Sequence, residues 1–349
     1  MHWGDLEERV INLKNERQVN EVRQFLSNFS LTFTESVDYT VVFYRAGKMI
    51  ATGSFAGEVL RNIAVDQTLQ GEGLTSILIS HLMKVASNRG IYHYFIFTKP
   101  DKAHLFTSLG FKNVGQAEPY AVLLEAGIGS IDNYCREIAK QAEVLPQGQR
   151  AGLVVNCNPF TLGHKAVIDK AAKENQSVVV FVVSEEKSLF PFEVRIRLVK
   201  AGLEHHNNVL VLPAGKYLVS AATFPGYFTR GNETVTAQTR LDADIFARHI
   251  APAMGISRRY VGNEPYCEIT QCYNQAMTEV LPHHGIEVIE MPRVAVAGEV
   301  ISASRVRELI REGDWASIKK LVPATTYEYL ISDEAVIIID KIRHSKSRH

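Results

Sequence analysis

Two short stretches of this 349-residue chain carry residues suited to handling a phosphate. The first runs Asn156, Cys157, Asn158, Pro159, Phe160, Thr161, Leu162, Gly163, His164. It lies where an apolar run, Gly152 to Val155, gives way to a helical pattern. A helix start offers free backbone N–H groups and the positive end of the helix dipole, so an anion is welcome there. Thr161 and Gly163 are candidate phosphate contacts, Gly163 because a residue without Cβ lets a phosphate approach the backbone closely. His164, in the first turn, could donate a hydrogen bond to charge developing on phosphorus. Read alone, Pro159 and Gly163 serve equally well as turn residues, and His164 as a surface histidine. The second stretch, about 140 residues further on, is Ile301, Ser302, Ala303, Ser304, Arg305, Val306, Arg307. A serine acting as N-cap explains one hydroxyl but leaves two arginines in the first turns, where the dipole disfavours cations. A bound polyphosphate resolves that conflict.

The elements that must position these residues follow from the apolar pattern. From Ala151 onward the order is strand, loop, helix, strand: Gly152 to Val155, His164 to Lys173, Val178 to Val183. Such alternation predicts a parallel sheet with crossover helices, whose ligands collect at the carboxyl ends of the strands. Val209 to Leu212 and Arg259 to Val261 read as further strands. Asn263, just after the latter, is a candidate ligand contact. Gly215 to Pro225, after the former, holds Lys216 and Ser220 at the edge where an acceptor would sit, or is a structural loop. Earlier in the chain, Glu7 to Phe29 has helical spacing. Tyr39 to Tyr44 and Lys48 to Phe55 read as a hairpin turning at Ala46 and Gly47, and Val59 to Val65 as a strand. An amphipathic helix follows, containing Leu74, Ile77, Leu78, Leu82 and Val85 and stopping at Gly90, and then a strand from Tyr92 to Thr98. Ser130 caps a polar helix that runs to Glu143, and Pro146 to Gln149 close it. The expected organisation is therefore a first domain over 1–128, a helical linker over 129–150, a second domain over 151–340 and a basic tail over 341–349. His205, His206, His283 and His284 fall in polar stretches and are expected to be solvated.

These residues carry family resemblances. The TLGH and ISASRVR runs resemble the two signature motifs of the (T/H)xGH nucleotidyltransferase superfamily, which transfers AMP or CMP and releases pyrophosphate. The stretch Lys187, Leu189, Phe190, Glu193, Arg195, Ile196, Leu198 is similar to the segment that supplies a lysine to the phosphates there. The resemblance implies that His164 and Lys187 serve the transition state, that Ser304 and Arg307 hold the β- and γ-phosphates, and that ATP brings its Mg2+ on the phosphates. No protein metal site is expected, since neither motif supplies a carboxylate cage. In the first domain, Gln70, Gly71, Glu72, Gly73, Leu74, Thr75 and the later Leu105, Phe106, Leu109, Gly110, Phe111 resemble the GCN5-related acetyltransferase fold, with Thr75 standing where that loop has Gly or Ala. The fold class implied is α/β: an N-terminal acetyltransferase-like α+β domain followed by a Rossmann-like doubly wound parallel sheet.

The order of these two domains, the NPFTLGH loop, the run Gly215 to Pro225 and the run Val261 to Cys267 together resemble the citrate lyase ligase family. That resemblance implies an AMP-forming acid–thiol ligase, with ATP and acetate as substrates and the citrate lyase acyl carrier protein as partner. Two other classes remain open: an adenylyltransferase making a dinucleotide cofactor of the dephospho-CoA or NAD type, and an acetyl-CoA-dependent acetyltransferase whose second domain senses ATP.

Composition sets the outer bounds. Lys plus Arg number 38 and Asp plus Glu 38, so the formal charge is zero and no long-range field draws in a polyanion; nucleic acid is not expected as a partner. The longest apolar run, Val178 to Val183, falls far short of the ~20 residues that span a bilayer. Asp5, Glu7, Glu8 and Arg9 stand where a secretory signal has its apolar core. A cytoplasmic, non-membrane protein is therefore expected. Its four cysteines, Cys135, Cys157, Cys267 and Cys272, form no CxxC pair and read as reduced thiols.

Overall fold

The structure is a computed structural model, and it describes residues 6–34, 36–184, 188–218, 226–229, 232–263, 268–292, 295–296 and 299–345. The chain forms two compact units, Met1–Asn133 with Phe224–Leu241, and Tyr134–Thr223 with Asp242–His349. A division read along the chain does not contain the return of Phe224–Leu241 to the first unit.

The first unit contains β1 (Glu7–Val10), α1 (Glu16–Ser27), β2 (Tyr39–Arg45), β3 (Lys48–Ala56), β4 (Val59–Val65), α2 (Leu74–Ser87), β5 (His93–Thr98), α3 (Ala103–Thr107), β6 (Lys112–Ala117) and β7 (Ala121–Gly127). Its sheet order is β1-β2-β3-β4-β5-β7-β6, antiparallel except for β4 beside β5. The period-2 alternation of a strand sends Val41 and Phe43 to the α2 side, with Leu78 and Leu82, and Val42 and Tyr44 to the α1 side, with Val19, Val22 and Leu26. The helical spacing over 7–29 holds only from residue 16. Asn15 starts that helix by accepting from the N–H groups of Arg17 and Gln18, and the residues before it pair with β2 as an edge strand instead. The hairpin turn falls at Ala46 and Gly47, both with left-handed φ, as its two-residue length requires.

β4 and β5 pair only at Val59 with Phe95 and Leu60 with Ile96, then diverge. Tyr227 is buried beside their continuation. Its hydroxyl donates to the Phe97 carbonyl at 2.6 Å, its own carbonyl accepts from Thr32 N at 2.9 Å, and the Arg61 guanidinium lies 5.0 Å from its ring. The gap that opens where two parallel strands part is therefore occupied by a side chain from the returning segment.

After the linking helix α4 (Ile131–Gln141), whose first turn accepts Ser130 as cap, the second unit contains β8 (Arg150–Val155), α5 (Leu162–Glu174), β9 (Ser177–Val182), α6 (Phe192–Leu203) and β10 (Val209–Pro213). After α7 (Asn232–Ile245), which belongs to the first unit as far as Leu241, come a π-helical turn (Phe246–Ile250), α8 (Ala251–Met254), β11 (Ile256–Gly262), α9 (Glu268–Val280) and β12 (Glu287–Met291). A short hairpin, β13 (Ala295–Val296) and β14 (Glu299–Val300), precedes α10 (Ala303–Glu312), α11 (Trp315–Leu321), α12 (Ala324–Leu330) and α13 (Val336–His344). The main sheet has order β10-β9-β8-β11-β12 with every pairing parallel. This is the 3-2-1-4-5 order of a doubly wound α/β sheet, which places its ligand crevice where the order reverses, beyond the carboxyl ends of β8 and β11. All six residues of β9 are buried, as a strand covered on both faces must be. α5 and α10 pack on one face, with Ile168, Val306, Leu309 and Ile310 in a common core with Leu153 and Val180.

Candidate active site

The chain leaves β8 at the predicted crevice and turns through Asn156–Phe160 into α5. Cys157 takes left-handed backbone, φ 52°, and its buried thiol is pushed up by the loss of solvent. Thr161 caps the helix reciprocally: His164 N donates to Thr161 Oγ1 at 3.4 Å, and Thr161 N donates to His164 Nδ1 at 3.1 Å. Because Nδ1 accepts a backbone N–H, the neutral ring carries its proton on Nε2. Burial against Phe160 pushes the imidazole down to about 4, so at neutral pH it is an uncharged donor through Nε2–H.

The loop is fixed from beneath by Arg195 of α6, which is fully buried. Its Nε donates to the Phe190 carbonyl at 3.0 Å. Its Nη1 donates to the Val183 carbonyl at 2.7 Å, the Asn156 carbonyl at 3.0 Å and Asn156 Oδ1 at 2.9 Å. Asn158 Oδ1 accepts from Phe190 N at 3.0 Å, and Ser188 Oγ donates to Asn156 Oδ1 at 3.2 Å. The ends of β8 and β9 are thus tied to the two residues flanking the segment that carries Lys187. Lys187 itself lies outside the described residues. Arg195 is the positioning residue that the sequence did not single out, although it stands inside the quoted motif.

The second stretch arrives at the same place. Ser302 caps α10, its Oγ accepting from Arg305 N at 3.1 Å. Arg307 is buried; its Nη1 donates to the Asn158 carbonyl of the first loop, and its Nη2 to Ser304 Oγ at 3.2 Å. A Cβ at Gly163 would stand 3.1 Å from the Ile301 carbonyl oxygen, so this glycine admits the second stretch against the first. Thr161, Gly163 and His164 are therefore brought together with Ser302, Ser304 and Arg307, at two adjoining helix starts. Arg305, the other cation, turns to Glu308 and Glu312.

Asn263 follows the end of β11, the strand beside β8, and its N donates to the Met291 carbonyl at 2.8 Å. Lys216 is exposed in the turn after β10, next to Gly215, whose N donates to Ser184 Oγ at 3.0 Å. Ser220 lies outside the described residues. Of the histidines expected to be solvated, His206 departs from that expectation: its Nε2 lies 2.7 Å from Asp169 Oδ1, with His205 alongside. These three could gather around a cation, but the Lys165 ammonium already stands among them, 2.8 and 2.9 Å from the two Asp169 oxygens and 3.1 Å from His205 Nε2. Among the described residues, no helix is long and apolar enough to cross a membrane.

The family described as "Citrate lyase ligase C-terminal domain" matches residues 150–330. The chain is 36% identical to citrate (pro-3S)-lyase ligase of Klebsiella pneumoniae over 93% of its own length and 95% of that protein's. It is 34% identical to the Escherichia coli K12 protein of the same name, covering 95% of each. The chain belongs to the citrate lyase ligase family. Family membership extends across both units, because the relatives match nearly end to end. A solved structure similar to about a third of the chain is the ribosomal-protein-S18-alanine N-acetyltransferase of Escherichia coli, at 18% identity and a TM-score of 0.30, covering 36% of this chain and 96% of that one.

Proposed function

We propose that this chain, like the relatives whose name it shares a family with, is an AMP-forming ligase that activates acetate with ATP and acetylates the thiol of the citrate lyase acyl carrier protein. One acetate oxygen attacks the α-phosphorus, the bond to the bridging oxygen breaks, and pyrophosphate leaves with the electron pair. The carrier's thiol sulfur then attacks the carbonyl carbon of the acetyl adenylate. Its proton passes to solvent, and AMP departs. Splitting the reaction this way replaces a carboxylate, which resists thiol attack, with a good electrophile.

In this reading His164 donates through Nε2–H to the charge that grows on the α-phosphate, and Lys187 adds a second positive group. Thr161 and Gly163 form the first helix start. Ser302 and Ser304 offer the second to the β- and γ-phosphates, with Arg307 supplying positive charge from behind the loop. Asn263 contacts adenosine, and Lys216 and Ser220 line the acceptor side. Mg2+ rides on the phosphates, since the side chains at the two helix starts include no carboxylate that would hold it. Positioning and fixed dipoles carry the rate, so no covalent enzyme intermediate is needed.

The observation that supports this most is the contact of the two motifs, through Arg307 with the Asn158 carbonyl and Ile301 against Gly163. Pyrophosphate exchange into ATP tests it. Exchange that requires acetate is expected. Exchange supported only by phosphopantetheine or nicotinamide mononucleotide would replace this reading with that of a dinucleotide-forming adenylyltransferase, and acetyl-CoA consumption without exchange would replace it with an acetyltransferase.

A further inference from the structure

Asp169 of α5 and the pair His205 and His206, which follow the cap of α6 at Glu204, take no part in the proposed adenylation. Asp169 stands five residues after His164, about 7.5 Å along the helix. Consecutive side chains on a helix point about 100° apart, so two neighbouring histidines rarely serve one partner there. Here the helix has ended. His206 N donates to the Leu203 carbonyl at 3.0 Å, and the two rings come together with centroids 4.1 Å apart. The Nε2 atoms of His205 and His206 lie 3.8 and 2.7 Å from one oxygen, Asp169 Oδ1, and the three groups keep their ligand atoms within 4.8 Å of one another.

A tie between two helices needs only one imidazole on the carboxylate, and the second ring brings a lone pair. Lys165 shows where that lone pair points. An ammonium has only hydrogens to give, so His205 Nε2, 3.1 Å from Lys165 Nζ, accepts from it, and the ring is neutral with its proton on Nδ1. The two Asp169 oxygens accept from the same ammonium at 2.9 and 2.8 Å. A cation is thus already held by a carboxylate and an imidazole, with a second imidazole beside it.

That ammonium is replaceable. Its bond to Asp169 is an i,i+4 pair between side chains 23% and 27% exposed, a kind of pair that is weak, and its flexible four-carbon stem can swing to solvent without moving the helix. A divalent ion brings twice the charge and also takes His206, once that ring carries its proton on Nδ1. Imidazole and carboxylate together suit Zn2+, whereas Mg2+ and Ca2+ take oxygen ligands. A tetrahedral Zn2+ about 2.0 to 2.1 Å from each ligand holds the ligand atoms about 3.3 Å apart, between the 2.7 and 3.8 Å observed. The His205 side chain is 52% exposed, which gives the ion a way in and leaves its fourth position to water.

We infer that Asp169, His205 and His206 bind Zn2+ in exchange for the Lys165 ammonium, the ion fastening the helix that carries His164 to the end of the helix that carries Arg195. The site stands on these contacts alone, whatever acid the chain activates.

The full-length chain, stripped with a chelator, tests it by titration with Zn2+ against a chromophoric chelator. One equivalent is expected to bind in the presence of excess Mg2+. Loss of a group that merely orients a ligand typically costs about 10- to 100-fold in metal affinity, so His205→Ala and His206→Ala should each weaken binding at least about tenfold. Lys165→Met keeps the apolar stem but removes the competing charge, and should tighten binding. Co2+ in place of Zn2+ should give the visible absorption of a tetrahedral ion in the unmodified chain and lose it in His205→Ala, a change at an exposed ring that leaves the core intact. Failure of the unmodified chain to bind Zn2+ would overturn the inference. So would an affinity that His205→Ala leaves unchanged, or one that Lys165→Met weakens.

Discussion

Replacing His164 with alanine should separate the job the structure shows for this ring from the one proposed for it. Through Nδ1 the imidazole accepts the Thr161 N–H and closes the helix cap; through Nε2–H it is proposed to meet the nucleotide. Loss of the cap resembles loss of a side-chain acceptor at a helix start and should cost about 1 kcal/mol of stability. Loss of one fixed donor to a developing oxyanion typically costs about 2.7 to 4 kcal/mol of activation free energy, a fall in kcat on the order of 100- to 1,000-fold. His164→Asn keeps an oxygen for the Thr161 N–H and an amide donor beyond it, so it should recover the stability and part of the rate. The assay is acetate-dependent pyrophosphate exchange with saturating ATP, alongside urea unfolding of each variant. A kcat within threefold of the unmodified protein for His164→Ala would refute the transition-state role. So would a loss that saturating ATP restores, since the ring would then serve only to bind the nucleotide.

Three further outcomes follow from the same contacts. The His164 imidazole sits at about 4 against an ordinary value near 6.5, so the unfolded chain binds the extra proton between those values. Its contribution to stability is complete above pH 6.5 and lost as pH falls toward 4; urea unfolding across that window should therefore show a shallower acid loss in His164→Asn, and equal slopes would contradict the buried neutral ring. Arg195→Met strips acceptors at Asn156, Val183 and Phe190 of their donor and should destabilise the second unit by about 3 kcal/mol or more, read as a lowered urea midpoint. Tyr227→Phe leaves the Phe97 carbonyl without its 2.6 Å hydroxyl and should cost about 1 to 3 kcal/mol, and a neutral effect would mean that the side chain is not held between β4 and β5.

What could be read before the fold was known follows from the range of each physical signal. The strand, loop and helix alternation after Ala151 is local periodicity, and β8, α5 and β9 fall where it put them, within one or two residues. Capping is equally local: Ser130 caps as expected, Ser302 proves to be the one of the two serines in the second stretch that caps, and the Asn15 cap is hidden by apolar spacing that continues on both sides of it. The proposal of phosphate chemistry at the second helix start comes from residue types that conflict with the dipole at a terminus unless a ligand is present. Their meeting depends on contacts some 150 residues apart, and the sequence reading took it from resemblance. The structure gives it a cause: Arg307 spends its donors on the first loop and on Ser304, and Gly163 leaves room for a carbonyl. Arg195 looks in sequence like any arginine within an apolar pattern, and only the acceptors gathered around it mark it as a tether. The return of Phe224–Leu241 to the first unit left no local trace, because Tyr227 finds its partners at Thr32, Arg61 and Phe97 only after both sheets exist.

The measurement that bears most directly on the account is a crystal structure with a non-hydrolysable ATP analogue. One triphosphate should bridge the starts of α5 and α10, with the α-phosphate within hydrogen-bonding distance of His164 Nε2 and the outer phosphates at Ser302 and Ser304. A nucleotide bound away from these two helix starts, or an imidazole that keeps its Nε2 turned from the phosphate, would contradict it.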